Sequence, residues 1–116
     1  MKPLLLLPAL YILRLESNKE QLERLGEPTD DACEEPNFYV GISLNLNQRI
    51  SQHMTQDASI WTKHYHVKKI VSVKVSEDID NAYENDITLS MMRKHGWERV
   101  RGGSWCGLNI KKPMAL

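Results

Sequence analysis

Phe38-Tyr39-Val40-Gly41-Ile42-Ser43-Leu44-Asn45-Leu46-Asn47-Gln48-Arg49-Ile50-Ser51-Gln52-His53-Met54 changes its hydrophobic period partway along, and that change decides the fold. Phe38–Ile42 is a short run of aromatic and β-branched residues around one glycine, the pattern of a buried strand. From Leu46 the apolar residues recur every fourth position, at Leu46, Ile50 and Met54, which predicts a helix with that stripe in the core. Ser43 or Asn45 is placed to cap it. Arg49 and His53 are one turn apart and share the neighbouring face. A strand thus passes through a short polar turn into a helix carrying a paired cation and imidazole.

Upstream, Ala9-Leu10-Tyr11-Ile12-Leu13-Arg14-Leu15 predicts a second buried strand. The connection between the two strands, residues 16–37, is long and acidic. Residues 16–36 hold eight acids against two bases, a net of −6, so the rest of the chain carries +6 within a total of zero. A net charge that argues against nucleic acid therefore hides a basic body. Lys19–Leu25 has the composition for two helical turns ended by Gly26 and Pro28, and Thr29–Pro36 reads as loop. Poor in core-forming residues, the insert is expected to be exposed and mobile, either an electrostatic lid over the basic face or a tolerated surface insertion.

Downstream, Trp61–Lys69 interleaves bases with aromatics without a clean period. Lys69–Val75 predicts a strand with Val71, Val73 and Val75 on one face. A long helix is expected from about Glu77 to Lys94, capped by Ser76, ended by Gly96 and turning Ile79, Tyr83, Ile87 and Met91 to the core. The tail holds Gly102-Gly103 between two short candidate strands. The order predicts one α+β domain over residues 1–116, with a small mixed or antiparallel sheet of three to four strands flanked by helices.

At 116 residues the chain is long enough for a modest core. Its two cysteines, Cys33 and Cys106, have no metal-ligand spacing and suggest a reducing compartment. Met1–Leu7 imitates a signal peptide but is interrupted by Pro8, lacks a small-residue cleavage site and is far short of the ~20 residues of a membrane span. The expectation is a cytoplasmic protein with no membrane partner.

Within the long helix, Glu84 projects within roughly 20° of Met91 and 60° of Ile87, so its carboxylate borders an apolar face. An unpaired charge there is costly, which suits a ligand for a hard cation beside a phosphate. Asp86 lies on another side, so a cluster of several carboxylates is disfavoured. Arginine offers phosphate oxygens a planar fork of donors, and histidine can move a proton near neutral pH. Tyr11 and Tyr39 stand on the two strands. Lys63, His64 and Lys68, with Arg99 and Arg101 in the tail, are the candidate contacts to a nucleic-acid backbone.

In this order, these residues resemble the GIY-YIG nuclease superfamily. Ala9-Leu10-Tyr11 stands where its Gly-Ile-Tyr motif falls and Tyr39-Val40-Gly41 where Tyr-Ile-Gly falls. Arg49, His53, the Trp61-Thr62-Lys63 segment and Glu84 follow. Three departures accompany the likeness. Ala9 replaces a glycine, the acidic insert lengthens a short connection, and the family's late asparagine has no clear counterpart soon after Glu84. The resemblance implies an endonuclease that hydrolyses DNA, branched or damaged DNA included. Tyr11 would be the general base with Tyr39 in support, Arg49 would stabilise charge on the phosphate, His53 would assist, and Glu84 would hold one Mg²⁺ or Mn²⁺. With no second DNA-binding domain recognisable, a homodimer or a specificity partner is expected to guide target choice. The alternatives are an inactive nucleic-acid-binding module on the same scaffold, or a protein-interaction domain using the acidic insert.

Overall fold

The computed structural model describes residues 6–55 and 58–116, so most of the signal-like run falls outside the described residues. The elements, in chain order, are β1 (Ala9–Ser17), α1 (Asn18–Arg24), β2 (Pro36–Ser43), α2 (Leu46–Met54), α3 (Ile60–His64), β3 (Val67–Val75), α4 (Asn81–His95), a 3-10 turn (Trp97–Arg99) and β4 (Val100–Gly102). The four strands form one mixed sheet in the order β3-β1-β2-β4. β1 is antiparallel to both β2 and β3, while β4 runs parallel to β2. The fold is therefore the α+β class expected from the sequence.

β1 is apolar on both faces because both are covered. Tyr11, Leu13 and Leu15 join Tyr39 and Trp61 in a cluster completed by Leu46 and Ile50 of α2. On the other face, Leu10 and Val40 pack with Ile79 and with Tyr83, Ile87 and Met91 of α4. Phe38 and Val100 meet Leu89 and Met92 farther along the same helix. The sheet is thus sandwiched between α2–α3 and α4.

Of the two expected caps one is used, and other local details depart from the expectation. Asn45 is the N-cap of α2, its side chain accepting from the Gln48 N–H. Met54 is exposed, because the last turn of α2 buries His53 against the sheet in its place. α4 starts later than Ser76: the Asp80 side chain accepts the Tyr83 N–H, and Ser76 instead accepts from Asp78 in the preceding turn. β3 is an edge strand with no helix over it, so Ile70, Val71, Val73 and Val75 are all exposed. A register shift between Ile70 and Ser72 also leaves Val71 without a cross-strand partner, which breaks the expected valine face.

The acidic insert is tied down rather than loose. Ser17 and Glu20 form a capping box that starts α1. Glu16 is buried, paired with Arg24, and accepts the His66 N–H. Those donors hold its carboxyl below the usual range against the opposing effect of burial. Asn37, also buried, donates to the Glu16 carbonyl and to Asn18. Glu20 pairs with Lys68 and Glu34 with Lys19, so several of its charges are spent locally.

Candidate active site

Three rings converge above the β1–β2 ladder. The centroid of Tyr39 lies 4.8 Å from that of His53 and 6.3 Å from that of Tyr11. Tyr11 meets His53 edge-on, and its hydroxyl is 2.8 Å from His53 Nε2. Local sequence explains the convergence. Tyr11 faces Gly41 across the ladder, and a Cβ on Gly41 would sit 2.4 Å from the Tyr11 hydroxyl, so only glycine lets the ring lie there. The turn after Ser43 then brings α2 back over that face, where His53 is 1% exposed.

His53 Nδ1 is 2.9 Å from the hydroxyl of Thr62, the buried residue of α3. Thr62 Oγ1 lies 3.0 Å from Ser59 Oγ and 3.4 Å from the Ser59 carbonyl, so its oxygen can receive the Nδ1 proton when its own proton goes to Ser59. With the proton on Nδ1, the Nε2 lone pair accepts from Tyr11. Burial, reinforced by the Arg49 guanidinium, lowers the imidazole to about 4, so it is neutral at physiological pH.

Burial also pushes Tyr11 up to about 12, although Arg49 opposes the shift both as a hydrogen-bond donor and as a charge. Tyr39 is raised as well, by burial first and by its neighbour Tyr11 next. Glu84 stands in the first turn of α4 and reaches round to the same place. Burial raises its carboxyl, while the N–H groups of Ile42 and Gly103 and the charge of Arg49 act to lower it. Both tyrosines feel its charge. Tyr11, Tyr39, Arg49, His53 and Glu84 therefore gather into one mutually interacting group, although they span the chain.

The proposed backbone contacts fare differently. Arg101 is 4% exposed. Its guanidinium donates to the carbonyls of Gly107, Trp97, Glu98, Val100 and Leu108 and stacks 4.1 Å over the Trp61 ring. With its donors consumed, it clamps the tail instead of facing a substrate. Arg99 donates to the carbonyls of Pro36 and His95 and is likewise a tie. Lys68 is paired with Glu20, and His64 contacts Gln21. Lys63 is exposed and has no ion pair among the described residues.

Sequence reasoning missed three contributors. Thr62 lay inside a quoted segment, but nothing local marked it as the partner of His53. Gly103 has positive φ, and a Cβ there would fall 2.0 Å from Asn85 Oδ1. The Asn85 side chain also accepts the Ser104 N–H, which holds this loop against α4 beside Glu84. Cys106, whose thiol donates to the Gly103 carbonyl, is raised by burial and by Glu84.

The acidic connection is not beside this group. It leaves at Ser17 and returns at Pro36, whereas the site gathers over Gly41 and Ile42. Five or six residues of strand amount to roughly 17–20 Å. An insert held at the other end of the ladder does not cover the site, which removes the basis for the lid.

Among the described residues, no group of three or more His, Cys, Asp or Glu side chains gathers as a metal cluster, and no helix is long and apolar enough to cross a membrane. No curated protein and no solved structure matches the chain. A family model described as the GIY-YIG catalytic domain matches residues 29–90, which include Tyr39, Arg49, His53 and Glu84 but not Tyr11. Over half of the chain is matched, and the unmatched β1 is the strand that pairs with β2 and carries the first tyrosine of the ordered set. The chain belongs to the GIY-YIG superfamily, whose catalytic domains are those of nucleases.

Proposed function

We propose that the protein is a metal-dependent endonuclease that hydrolyses DNA phosphodiester bonds. The observation that carries this reading is the continuous path from Tyr11 through His53 to Thr62, set beside Arg49 and Glu84. Tyr11 with its pKa near 12 is a poor base if it must first ionise. A neutral imidazole 2.8 Å away removes that requirement. As water attacks phosphorus, its proton passes to the Tyr11 oxygen while the Tyr11 proton passes to His53 Nε2. The imidazolium so formed keeps its Nδ1–H on Thr62. No free tyrosinate is needed, and each heavy atom ends with a balanced proton count. General acid–base help of this kind is worth about 10²–10⁴ in rate.

Arg49 is placed to donate to the phosphate oxygens as charge builds on them, the larger electrostatic contribution. Tyr39 packs against His53 and fixes the imidazole plane. Glu84 is the residue that would hold one Mg²⁺ or Mn²⁺. A lone half-buried carboxylate suits such an ion, which binds by one or two carboxylates and fills its other positions with waters and substrate phosphate. When bound, the cation supplies Lewis-acid stabilisation of the phosphoryl oxygens.

The test uses purified protein with supercoiled plasmid, branched DNA and single-stranded DNA, with and without Mg²⁺. Nicking that requires the cation and disappears in Glu84→Ala supports the reading. Salt-sensitive binding of DNA with no cleavage under any condition would reject it in favour of a binding module.

A further inference from the structure

On the sheet face away from the tyrosines, a groove of about 350 Å³ runs between β3 and the last turn of α4. α4 meets the edge strand near its own start, where Lys74 donates to the Tyr83 hydroxyl, and the groove opens between them towards the other end of the helix. Arg14 and Lys69 stand directly opposite each other in the β1–β3 ladder and form one wall. Lys94 and His95 form the other, with Phe38 and Met91 at the bottom. The rings of Phe38 and His95 lie 4.4 Å apart between centroids.

The electrostatics of this groove are unresolved within the chain. Like charges facing each other across a ladder are destabilising. Among the described residues Arg14, Lys69 and Lys94 form no ion pair, and no acid lines the groove. Burial, then the charges of Lys94 and Arg99, lower the His95 imidazole, and Glu35 beside the Pro36 rim opposes them. Three unpaired cations over an apolar, partly aromatic bottom complement a ligand with repeated phosphates and flat faces. A space of about 350 Å³ with an aromatic bottom suits an unstacked base, which a single strand offers and an intact duplex keeps in its stack.

We propose that this groove binds a single-stranded nucleic-acid segment, with phosphates on Arg14, Lys69 and Lys94 and a base against His95 over the Met91 bottom. Base stacking and backbone cations are the two components such sites combine. Its place relative to the nuclease site is set by α4. Glu84 and Lys94 are ten residues apart on that helix, roughly 15 Å at 1.5 Å per residue. A strand leaving the cleavage site must also pass round the sheet to the other face, so its unpaired flank has to exceed that separation. The groove would then favour DNA with an unpaired flank. That consequence rests on the nuclease reading, whereas binding itself does not.

The experiment measures fluorescence anisotropy of a labelled oligo-dT of about 12 nucleotides, the range of single-strand site sizes. Native protein, Glu84→Ala and the double variant Arg14→Gln/Lys94→Gln are compared, with folding checked by circular dichroism. Oligo-dT should bind native protein and Glu84→Ala alike. Affinity should fall at least tenfold in the folded double variant, with the salt slope reduced by about 1.4. Cleavage of fully paired plasmid should be unchanged in that variant while cleavage of flapped DNA falls. Groove-dependent oligo-dT binding by a protein that cleaves nothing would uphold the groove and sink the nuclease reading. Unchanged oligo-dT affinity in the folded double variant would overturn the proposal. So would equal loss of blunt duplex binding, or competition by oligo-glutamate as effective as by oligo-dT.

Discussion

Gly41 and Tyr11 are cross-strand partners, and the space a Gly41 side chain would need is filled by the Tyr11 phenol. The glycine is therefore a requirement of the tyrosine. Its backbone is ordinary extended strand, so conformational freedom is not what fixes it. Gly41→Ala should leave a folded sheet but push the Tyr11 ring away from His53. The expected result is loss of cleavage by about a hundredfold, comparable to a 1 Å misplacement at a reacting group, with DNA binding retained. Native-like cleavage by Gly41→Ala would mean that the Tyr11 position is not critical.

Thr62 never reaches the phosphate in this scheme; it acts by holding His53 in one tautomer. Thr62→Val keeps the shape and removes the hydroxyl. Cleavage should drop by about 10–100-fold, the usual cost of losing an outer partner of a functional histidine. Thr62→Ser should recover most of it. A serine variant as poor as valine would point to packing and not to the hydrogen bond.

Stability should depend on pH through the same pair. The unfolded chain protonates His53 near 6.5, the native one near 4. The unfolded state therefore takes up the proton first as pH falls, and this part of the stability, complete above about 6.5, is lost progressively towards 4. Tyr11 has the opposite sense, since the unfolded chain ionises near 10 and the native one near 12, so stability falls as pH rises across that interval. Chemical denaturation as a function of pH checks both. His53→Gln should flatten the acid side and Tyr11→Phe the alkaline side. An unchanged acid slope in His53→Gln would assign it to Glu16 and the other paired carboxylates.

Arg101 is expected to matter for stability rather than for substrate. Its planar fork satisfies carbonyls of the 3-10 turn, β4 and the tail while lying on Trp61. Lysine cannot reproduce that geometry. Arg101→Lys should cost about 3 kcal/mol, since hydrogen bonds to a charged group are each worth about 1.5–3 kcal/mol. Thermal unfolding measures it. A melting temperature within a degree or two of the native protein, coupled with weakened DNA binding, would restore Arg101 to the surface role its residue type suggests.

Sequence alone determined the strand of Tyr11, the strand-to-helix passage of Phe38–Met54, the Arg49–His53 spacing and the helix that carries Glu84. These follow from hydrophobic period and turn chemistry, which act between near neighbours. The apolar face of Tyr83, Ile87 and Met91 was legible for the same reason. Only the tertiary structure decided what each charge and hydroxyl is used for. Nothing within a few residues of Thr62 says that it meets His53, because their contact depends on how α3 returns over the sheet. Arg99 and Arg101 look like phosphate ligands until the carbonyls that consume their donors are seen to come from distant turns. The acidic insert looked like a lid because the sequence places it between two tyrosines. The antiparallel register puts it at the other end of the strands, where Arg24, Lys68 and the His66 amide hold Glu16 and Glu20. Periodicity is a local property of the chain, whereas the partner of a buried polar group is fixed by which elements the fold stacks together.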